Sequence, residues 1–140
     1  MKYWDSSAIL PLLLEEPRTS AVQALYEEDP ILSVWCLTEV EVASALARRS
    51  REGFEPEVLE RAHVELRKLL DSATEIISTG QVRSRALRLL NTHALRAADA
   101  IQLSAALIFC EEHPEFLSFV CLDDRLRDAA RREGFPVLPA

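Results

Sequence analysis

Four carboxylate residues lie at positions where an acid is better suited to chemistry than to folding. Asp5 directly follows a short apolar segment at the N-terminus, and Asp123 follows a longer apolar run. Asp99 lies among alanines near the start of a small-residue helix, where an unpaired carboxylate is costly to bury. Glu41 lies one turn into another predicted helix. We expect these four acids to share one site.

Carboxylates that converge on one point repel one another unless protons or cations neutralise them. Hard divalent cations such as Mg²⁺ and Mn²⁺ prefer oxygen ligands of this kind. A cation held by carboxylates lowers the pKa of a bound water and stabilises negative charge on an attacked phosphate. The four acids therefore indicate metal-assisted phosphodiester hydrolysis, with Mg²⁺ or Mn²⁺ as the cofactor.

Two of the four acids have a competing neighbour. Glu39 precedes Glu41 by two residues, and either one is compatible with a solvated position on an amphipathic helix. Asp123 and Asp124 are adjacent, and we expect one of them to cap the helix that follows. Within each pair the choice stays open at the level of sequence, with Glu41 and Asp123 preferred.

The elements that must position these acids alternate between strands and helices. Strand-like segments are expected at residues 2–4, 31–34, 74–77, 116–122 and 136–138, with segments of helical apolar spacing between them. This alternation is typical of a three-layer α/β/α sandwich whose central sheet is mostly parallel and has about five strands. In such sheets ligands bind outside the carboxyl ends of the strands, where the acids are expected.

Local signals predict where three of the helices begin or end. Ser6 and Ser7 are expected to cap the first helix, although Asp5 also has the residue type of a cap. Thr38 is expected to cap a long helix, and Gly134 to stop the last one. These boundaries determine which side chains face the carboxyl edge of the sheet.

Composition restricts the remaining possibilities. The 140 residues are 49% hydrophobic and 28% charged, which predicts one globular domain over residues 1–140. No apolar run approaches the roughly 20 residues of a membrane span, and no signal peptide is evident, so we expect a cytoplasmic protein. Cys36, Cys110 and Cys121 are expected to be reduced core residues. The net charge of −7 argues mildly against a protein that binds nucleic acid through its phosphates alone.

The motifs taken together resemble the PIN-domain family, and among its members the VapC-type ribonuclease toxins. The resemblance covers essentially the whole chain and depends on the order and spacing of four pieces. They are Asp5-Ser6-Ser7-Ala8, Glu41 with Ala45-Leu46, Leu95-Arg96-Ala97-Ala98-Asp99-Ala100-Ile101-Gln102-Leu103, and Leu122-Asp123-Asp124-Arg125-Leu126 with Ala129-Ala130 and Gly134.

This resemblance implies a PIN-like sandwich with metal-dependent endoribonuclease activity on single-stranded or structured RNA. By position, Asp5, Glu41, Asp99 and Asp123 match the family's acidic quartet, which holds Mg²⁺ or Mn²⁺, and Ser7 matches a hydroxyl beside the metal. The resemblance also implies a homodimer and a small antitoxin protein, one segment of which lies across the site.

Three arginines and one glutamine near these motifs raise further expectations. Arg96, Arg125 and Arg127 are candidate phosphate contacts, with surface salt bridges to neighbouring acids as the alternative. Many relatives have His where Gln102 stands. Because this is not a ligand position in the family, the departure leaves the expected ligand set unchanged.

Two other functions compete with a metal nuclease. One is a catalytically silent interaction module of the same fold, which would be expected to have lost at least one of the four acids. The other is a phosphohydrolase with Asp5 as a covalent nucleophile. Such enzymes usually have a second acid two residues later, where this chain has Ser7, and a lysine at a later strand end. Lys2 and Lys68 are the only lysines, and neither is well placed.

Overall fold

Five short parallel strands form the centre of the structure, a computed structural model that describes residues 1–140. The strands are β1 (Lys2–Trp4), β2 (Leu32–Trp35), β3 (Thr74–Ile76), β4 (Phe119–Val120) and β5 (Val137–Leu138). They lie in the order β3-β2-β1-β4-β5, and every neighbouring pair is parallel. The predicted parallel sheet is confirmed.

Helices connect the strands and cover the sheet. They are α1 (Ser6–Leu13), α2 (Thr19–Glu28), α3 (Thr38–Arg51), α4 (Pro56–Asp71), α5 (Thr79–Thr92), α6 (Ala97–Phe109) and α7 (Asp124–Glu133). A short 3₁₀ turn, Pro114–Phe116, precedes β4. No helix combines the length and the apolar character needed to cross a membrane.

Side-chain alternation along the strands builds two cores, one on each face of the sheet. Tyr3 of β1 and Phe119 of β4 belong to the core that α5, α6 and α7 cover. Trp4 and Val120, one residue further along, belong to the core under α1, α3 and α4. All four side chains are fully buried, and burial of an apolar side chain of this size contributes roughly 1.5–3 kcal/mol. The three-layer α/β/α arrangement is therefore confirmed.

Two of the predicted helix caps are wrong. Asp5, and not a serine, is the N-cap of α1, because its carboxylate accepts the backbone N–H of Ser7. The cap position of α3 is Leu37, and the hydroxyl of Thr38 accepts a hydrogen bond from Gln102 of α6 instead. The predicted stop at Gly134 is confirmed, since this glycine ends α7 in the left-handed conformation at φ 103°.

The predicted strand at 116–122 is far shorter than its apolar run. Only Phe119 and Val120 pair, with Tyr3 and Trp4 of β1 on one side and with β5 on the other. Phe116 lies in the 3₁₀ turn with its side chain 83% exposed. The neighbouring strands β1 and β5 are themselves only three and two residues long, so the rest of the run has no ladder to join.

The topology brings the ends of the three central strands to one edge of the sheet. Asp5 follows β1 directly, and Asp123 follows β4 after a short extended segment. Helix α3 begins just after β2, with Glu41 in its first turn. Asp99 lies in the first turn of α6. The fold thus places a carboxylate at each of four chain positions that meet at this edge.

Candidate active site

Asp5 is held in a nearly water-free position at the end of β1. Its side chain is 4% exposed, and its Oδ2 accepts the backbone N–H of Ser7 at 3.0 Å and the Ser7 hydroxyl at 2.5 Å. Burial raises the pKa of Asp5, Ser7 lowers it in part and the charges of Glu41 and Asp99 add to the rise, so that the pKa is about 6. A carboxylate in such a place is favoured by a nearby cation.

Ser7 connects this carboxylate to the segment that follows β4. Its hydroxyl donates its single proton to Asp5 and accepts the backbone N–H of Leu122 at 3.0 Å. The direction of both hydrogen bonds is therefore settled, because a backbone N–H can only donate. Ser7 fixes the orientation of Asp5 relative to the neighbouring strand end.

Glu41 faces the same region from the first turn of α3, and both of its carboxylate oxygens are hydrogen-bonded. Ser6 donates its hydroxyl to Oε2 at 2.8 Å, and the side-chain amide of Gln102 donates to Oε1 at 2.9 Å. Glu39 is exposed on another side of α3, where it lines a cleft with Arg67 of α4. Of the two glutamates, the structure places Glu41 beside the other acids.

Asp99 has one carboxylate oxygen that is buried and accepts no hydrogen bond. This is Oδ2, whose nearest cationic atom is Nε of Arg96 at 3.7 Å, beyond hydrogen-bond distance. Burial raises the pKa of Asp99, the charge of Asp123 raises it further, and Arg96 lowers it in part. An unpaired, partly buried carboxylate oxygen of this kind lacks the partner that its burial requires.

Asp123 and Asp124 have separate positions at the start of α7. Asp123 is the N-cap, and its Oδ1 accepts the backbone N–H of Leu126 at 2.9 Å. Asp123 also lines the cavity that contains Asp99, whereas Asp124 is exposed and does not. One aspartate therefore serves as the cap and as a member of the acidic group.

A cavity of about 820 Å³ brings the four acids together. Its wall is formed by α1, the start and outer face of α3, the first turn of α6 and the residue that caps α7. The charged and hydroxyl-bearing residues around it are Asp5, Ser6, Ser7, Glu41, Ser44, Arg48, Arg49, Glu52, Arg96, Asp99 and Asp123. The cavity is thus acidic at the carboxyl edge of the sheet and carries arginines around its margin.

The sequence led us to expect that the four acids converge on one point. In the structure they line one cavity but do not converge. No three His, Cys, Asp or Glu side chains are close enough together to hold one metal ion as they stand. The donor set nevertheless fits a hard divalent cation, since all four side chains are carboxylates. The buried Oδ2 of Asp99 has no hydrogen-bond partner and is available as a ligand, and burial of Asp5 disfavours its charged form unless a cation lies near.

The three arginines predicted near the acids have different surroundings. Arg96 lines the cavity with a largely exposed side chain. Arg125 is exposed and lies outside the cavity wall. The interpretation of Arg127 as a phosphate contact is wrong, because its guanidinium is buried and donates to the backbone carbonyls of Cys121 and Pro139, each at 2.6 Å. Arg127 holds the C-terminal segment against β4.

Arg48 is a cavity residue that sequence reasoning missed. It lies on α3 two turns after Glu41, and its exposed guanidinium takes part in no ion pair. The spacing in the sequence could have indicated Arg48, because residues seven apart on a helix share a face. Arg49 also reaches the cavity but is paired with Glu16 at 2.7 Å.

Gln102 is the other residue whose contacts the sequence did not reveal. Its side chain is fully buried on α6, one turn after Asp99, and it reaches Glu41 on α3. Its Oε1 accepts the hydroxyl of Tyr3 at 2.6 Å, and its Nε2 also donates to Thr38 at 3.0 Å. A polar amide among the apolar residues of α6 was the only sequence signal for this network.

Comparisons with known proteins agree with this architecture. The sequence matches the PIN domain family over residues 2–132. It is 31% identical over 140 residues, 99% of this chain and 94% of the other, to Ribonuclease VapC45 of Mycobacterium tuberculosis strain CDC 1551 / Oshkosh. Ribonuclease VapC49 of M. tuberculosis strain ATCC 25618 / H37Rv gives the same values.

A solved structure supports the fold independently. PAE2754 from Pyrobaculum aerophilum superposes with a TM-score of 0.60 at 22% sequence identity, covering 92% of this chain and 86% of that one. Because this identity is low, the similarity concerns the fold alone. With the family match spanning nearly the whole chain, and with acids grouped at the carboxyl edge of a parallel sheet, the chain belongs to the PIN-domain family.

Proposed function

We propose that this protein is a divalent-metal-dependent endoribonuclease that cleaves RNA, and that it is the toxin of a toxin–antitoxin pair. The observation that carries the proposal is the acidic cavity, in which a buried oxygen of Asp99 lacks any hydrogen-bond partner. The relatives named as ribonucleases, at 31% identity over nearly the whole chain, support RNA as the substrate class.

In this proposal Asp5, Glu41, Asp99 and Asp123 hold Mg²⁺ or Mn²⁺. A cation bound there supplies a water of lowered pKa and a countercharge for the phosphate that is attacked. Burial raises the pKa of Asp5 to about 6, so a cation at this site would favour its ionised form. The unpaired Oδ2 of Asp99 would serve as one of the ligands.

Arginines at the margin of the cavity attract the phosphates of RNA locally, although the net charge of the chain is −7. Arg48 is exposed, takes part in no ion pair and lies two turns from Glu41, so its guanidinium is free to donate to a phosphate. Arg96 lines the same cavity beside Asp99. An RNA strand that crosses the cavity contacts both.

The test is cleavage of a mixed single-stranded RNA pool with Mn²⁺, with Mg²⁺ or with EDTA, comparing wild type with Asp99→Asn. The matched control is Asp128→Asn, which removes an exposed acid of α7 that pairs with Arg132. We expect cleavage by wild type and the control with metal, and none in EDTA or with Asp99→Asn. Cleavage by Asp99→Asn at the wild-type rate contradicts the proposed site.

A catalytically silent interaction module is the second candidate, favoured by the lack of a preformed metal-ligand set. The same experiment separates the two functions when Mn²⁺ binding is measured in parallel. A wild type that neither cleaves RNA nor binds Mn²⁺ supports the module. Binding of Mn²⁺ together with EDTA-sensitive cleavage supports the nuclease.

The covalent phosphohydrolase is not proposed, because no lysine lies near Asp5 at the carboxyl edge of the sheet. Lys2 is at the opposite end of β1 and is paired with Glu28 at 3.0 Å. Lys68 is exposed on α4 and is paired with Glu65 at 3.1 Å.

The resemblance to VapC-type toxins also supports three predictions about the partners, the oligomeric state and the location of this protein. They are a small antitoxin protein that covers the site, a homodimer and a cytoplasmic location. An antitoxin that covers the cavity would contact Arg48 and Arg96, the same residues that the RNA needs, and would therefore compete with the substrate.

A further inference from the structure

Gln102 connects the two helices that carry Asp99 and Glu41. Its side chain is fully buried, and its amide nitrogen lies 2.9 Å from Oε1 of Glu41 on α3. The same nitrogen donates to the hydroxyl of Thr38 at 3.0 Å, so both amide protons are used. Gln102 and Asp99 lie three residues apart on α6, on one face of the helix.

The orientation of the Gln102 amide is determined by its partners. An ionised carboxylate only accepts hydrogen bonds, so the nitrogen of Gln102 must face Glu41. The oxygen of Gln102 then faces Tyr3, whose hydroxyl donates to it at 2.6 Å. A phenol hydroxyl is protonated at neutral pH and an amide oxygen only accepts, so Tyr3 is the donor. The chain of donors runs from Tyr3 through Gln102 to Glu41.

Glu41 is thereby held from both sides. Ser6 donates to Oε2 at 2.8 Å from the start of α1, while Gln102 donates to Oε1 from α6. A donor fixed in a fully buried site restricts a carboxylate more than solvent does, because it cannot move away without leaving its own partners unpaired. The carboxylate of Glu41 is therefore presented to the cavity in one orientation.

We propose that Gln102, oriented by Tyr3, is a positioning residue for Glu41 and thereby determines the affinity of the site for its divalent cation. This inference depends on the proposed function only in requiring that the acids bind a cation. Gln102 itself does not touch the cation or the RNA. Its effect passes through the orientation of Glu41, as with other residues that hydrogen-bond to metal ligands.

The test measures the dissociation constant for Mn²⁺ by isothermal titration calorimetry, with the unfolding temperature of the metal-free protein recorded for each variant. Gln102→Leu removes the donor to Glu41 and puts an apolar side chain of similar size in its place. In Gln102→Leu the buried hydroxyl of Tyr3 has no acceptor, which could destabilise the fold. The double variant Tyr3→Phe/Gln102→Leu removes this hydroxyl as well. The matched control is Ser104→Ala, which removes a buried hydrogen bond of α6 to the carbonyl of Val82, away from the acids.

We expect Mn²⁺ to bind about tenfold or more weakly to both Gln102 variants and within about twofold of wild type to Ser104→Ala. Wild-type affinity in the Gln102 variants overturns the inference, and so does an equal loss in Ser104→Ala, which would mark a general effect of stability. Under either of these two outcomes the proposed function still holds, provided that wild type cleaves RNA and binds Mn²⁺. A wild type that binds no Mn²⁺ overturns both.

Discussion

The hydroxyl and the backbone N–H of Ser7 both donate to the same carboxylate oxygen of Asp5, at 2.5 Å and 3.0 Å. Cys121 also contacts that oxygen, Oδ2, at 3.6 Å. The other oxygen of Asp5 takes part in none of these contacts. One half of the carboxylate thus caps α1, and the other half is left for a ligand in the cavity.

Replacement of Ser7 by alanine is expected to shift the pH dependence of Mn²⁺ binding. The hydroxyl stabilises the ionised form of Asp5, so its loss raises the pKa of that carboxyl. Protons then compete with the cation, and we expect the midpoint of Mn²⁺ binding to move upward by roughly one pH unit. Calorimetric titration between pH 5 and 8 measures this midpoint. Ser44→Ala, at an exposed position of the same cavity, is the control, and an equal shift in both variants contradicts the prediction.

Asp5→Asn is expected to stabilise the metal-free protein at neutral pH. The pKa of Asp5 is raised from 3.8 to about 6 in the folded state, so folding is favoured while the carboxyl is protonated. That contribution is complete below about pH 4 and is lost as the pH rises through about 6. Asparagine does not titrate, so near pH 7 the unfolding free energy of Asp5→Asn should exceed that of wild type by about 2–3 kcal/mol.

Urea unfolding in EDTA at pH 4.5 and pH 7.5 checks this sign. The gap in unfolding free energy between Asp5→Asn and wild type should widen as the pH rises, because the buried wild-type carboxyl loses its proton in this range and the asparagine does not. Saturating Mn²⁺ should reverse the order, since only the wild type gains binding energy. A constant gap across pH contradicts the raised pKa of Asp5.

Asp123 and Asp124 are expected to differ sharply in function. Asp123→Asn should abolish metal-dependent cleavage, because Asp123 lines the cavity beside Asp99. Its unfolding free energy should change by less than about 1 kcal/mol, since asparagine also caps helices. Asp124→Asn should retain wild-type cleavage, because this side chain is exposed outside the cavity. Comparison of initial cleavage rates decides which residue is the fourth acid.

Arg48→Ala is expected to weaken RNA binding and leave the chemical step unchanged. The unpaired guanidinium lines the cavity two turns from Glu41 and so reaches a phosphate outside the cleavage centre. We expect KM to rise about three- to tenfold with kcat retained, and the salt dependence of binding to become shallower. Arg51→Ala, an exposed change on the same helix outside the cavity, is the control. A matching effect of Arg51→Ala would show that only net charge is involved.

Arg127→Met is expected to destabilise the fold without impairing the site. The change leaves the carbonyls of Cys121 and Pro139 without their donor, at a cost of about 1–3 kcal/mol. Mn²⁺ affinity should stay within about twofold of wild type at a temperature where both proteins are folded. Denaturant unfolding and calorimetry measure the two quantities, and a loss of Mn²⁺ affinity alone would restore Arg127 to the site.

Local sequence was sufficient for the sheet and for the positions of the acids. Apolar segments that alternate with helical spacing gave the parallel sheet, and Asp5 follows the end of β1 as predicted. These features depend on residues close together in the chain. The extent of β4 was not predictable, because Phe119 and Val120 pair only where β1 and β5 lie beside them.

By itself the sequence determined which residues are available for chemistry. Four carboxylates lie at strand ends and helix starts, and no lysine or histidine is placed to take over their role. Only the tertiary structure decided what each carboxylate contacts. Gln102 meets Glu41 across 61 residues of chain and Tyr3 across 99, and no local pattern encodes such pairs. That Asp123 and not Asp124 lines the cavity was likewise decided by the tertiary structure. Hydrogen bonds between distant segments depend on how the helices pack on the sheet, which periodicity does not specify.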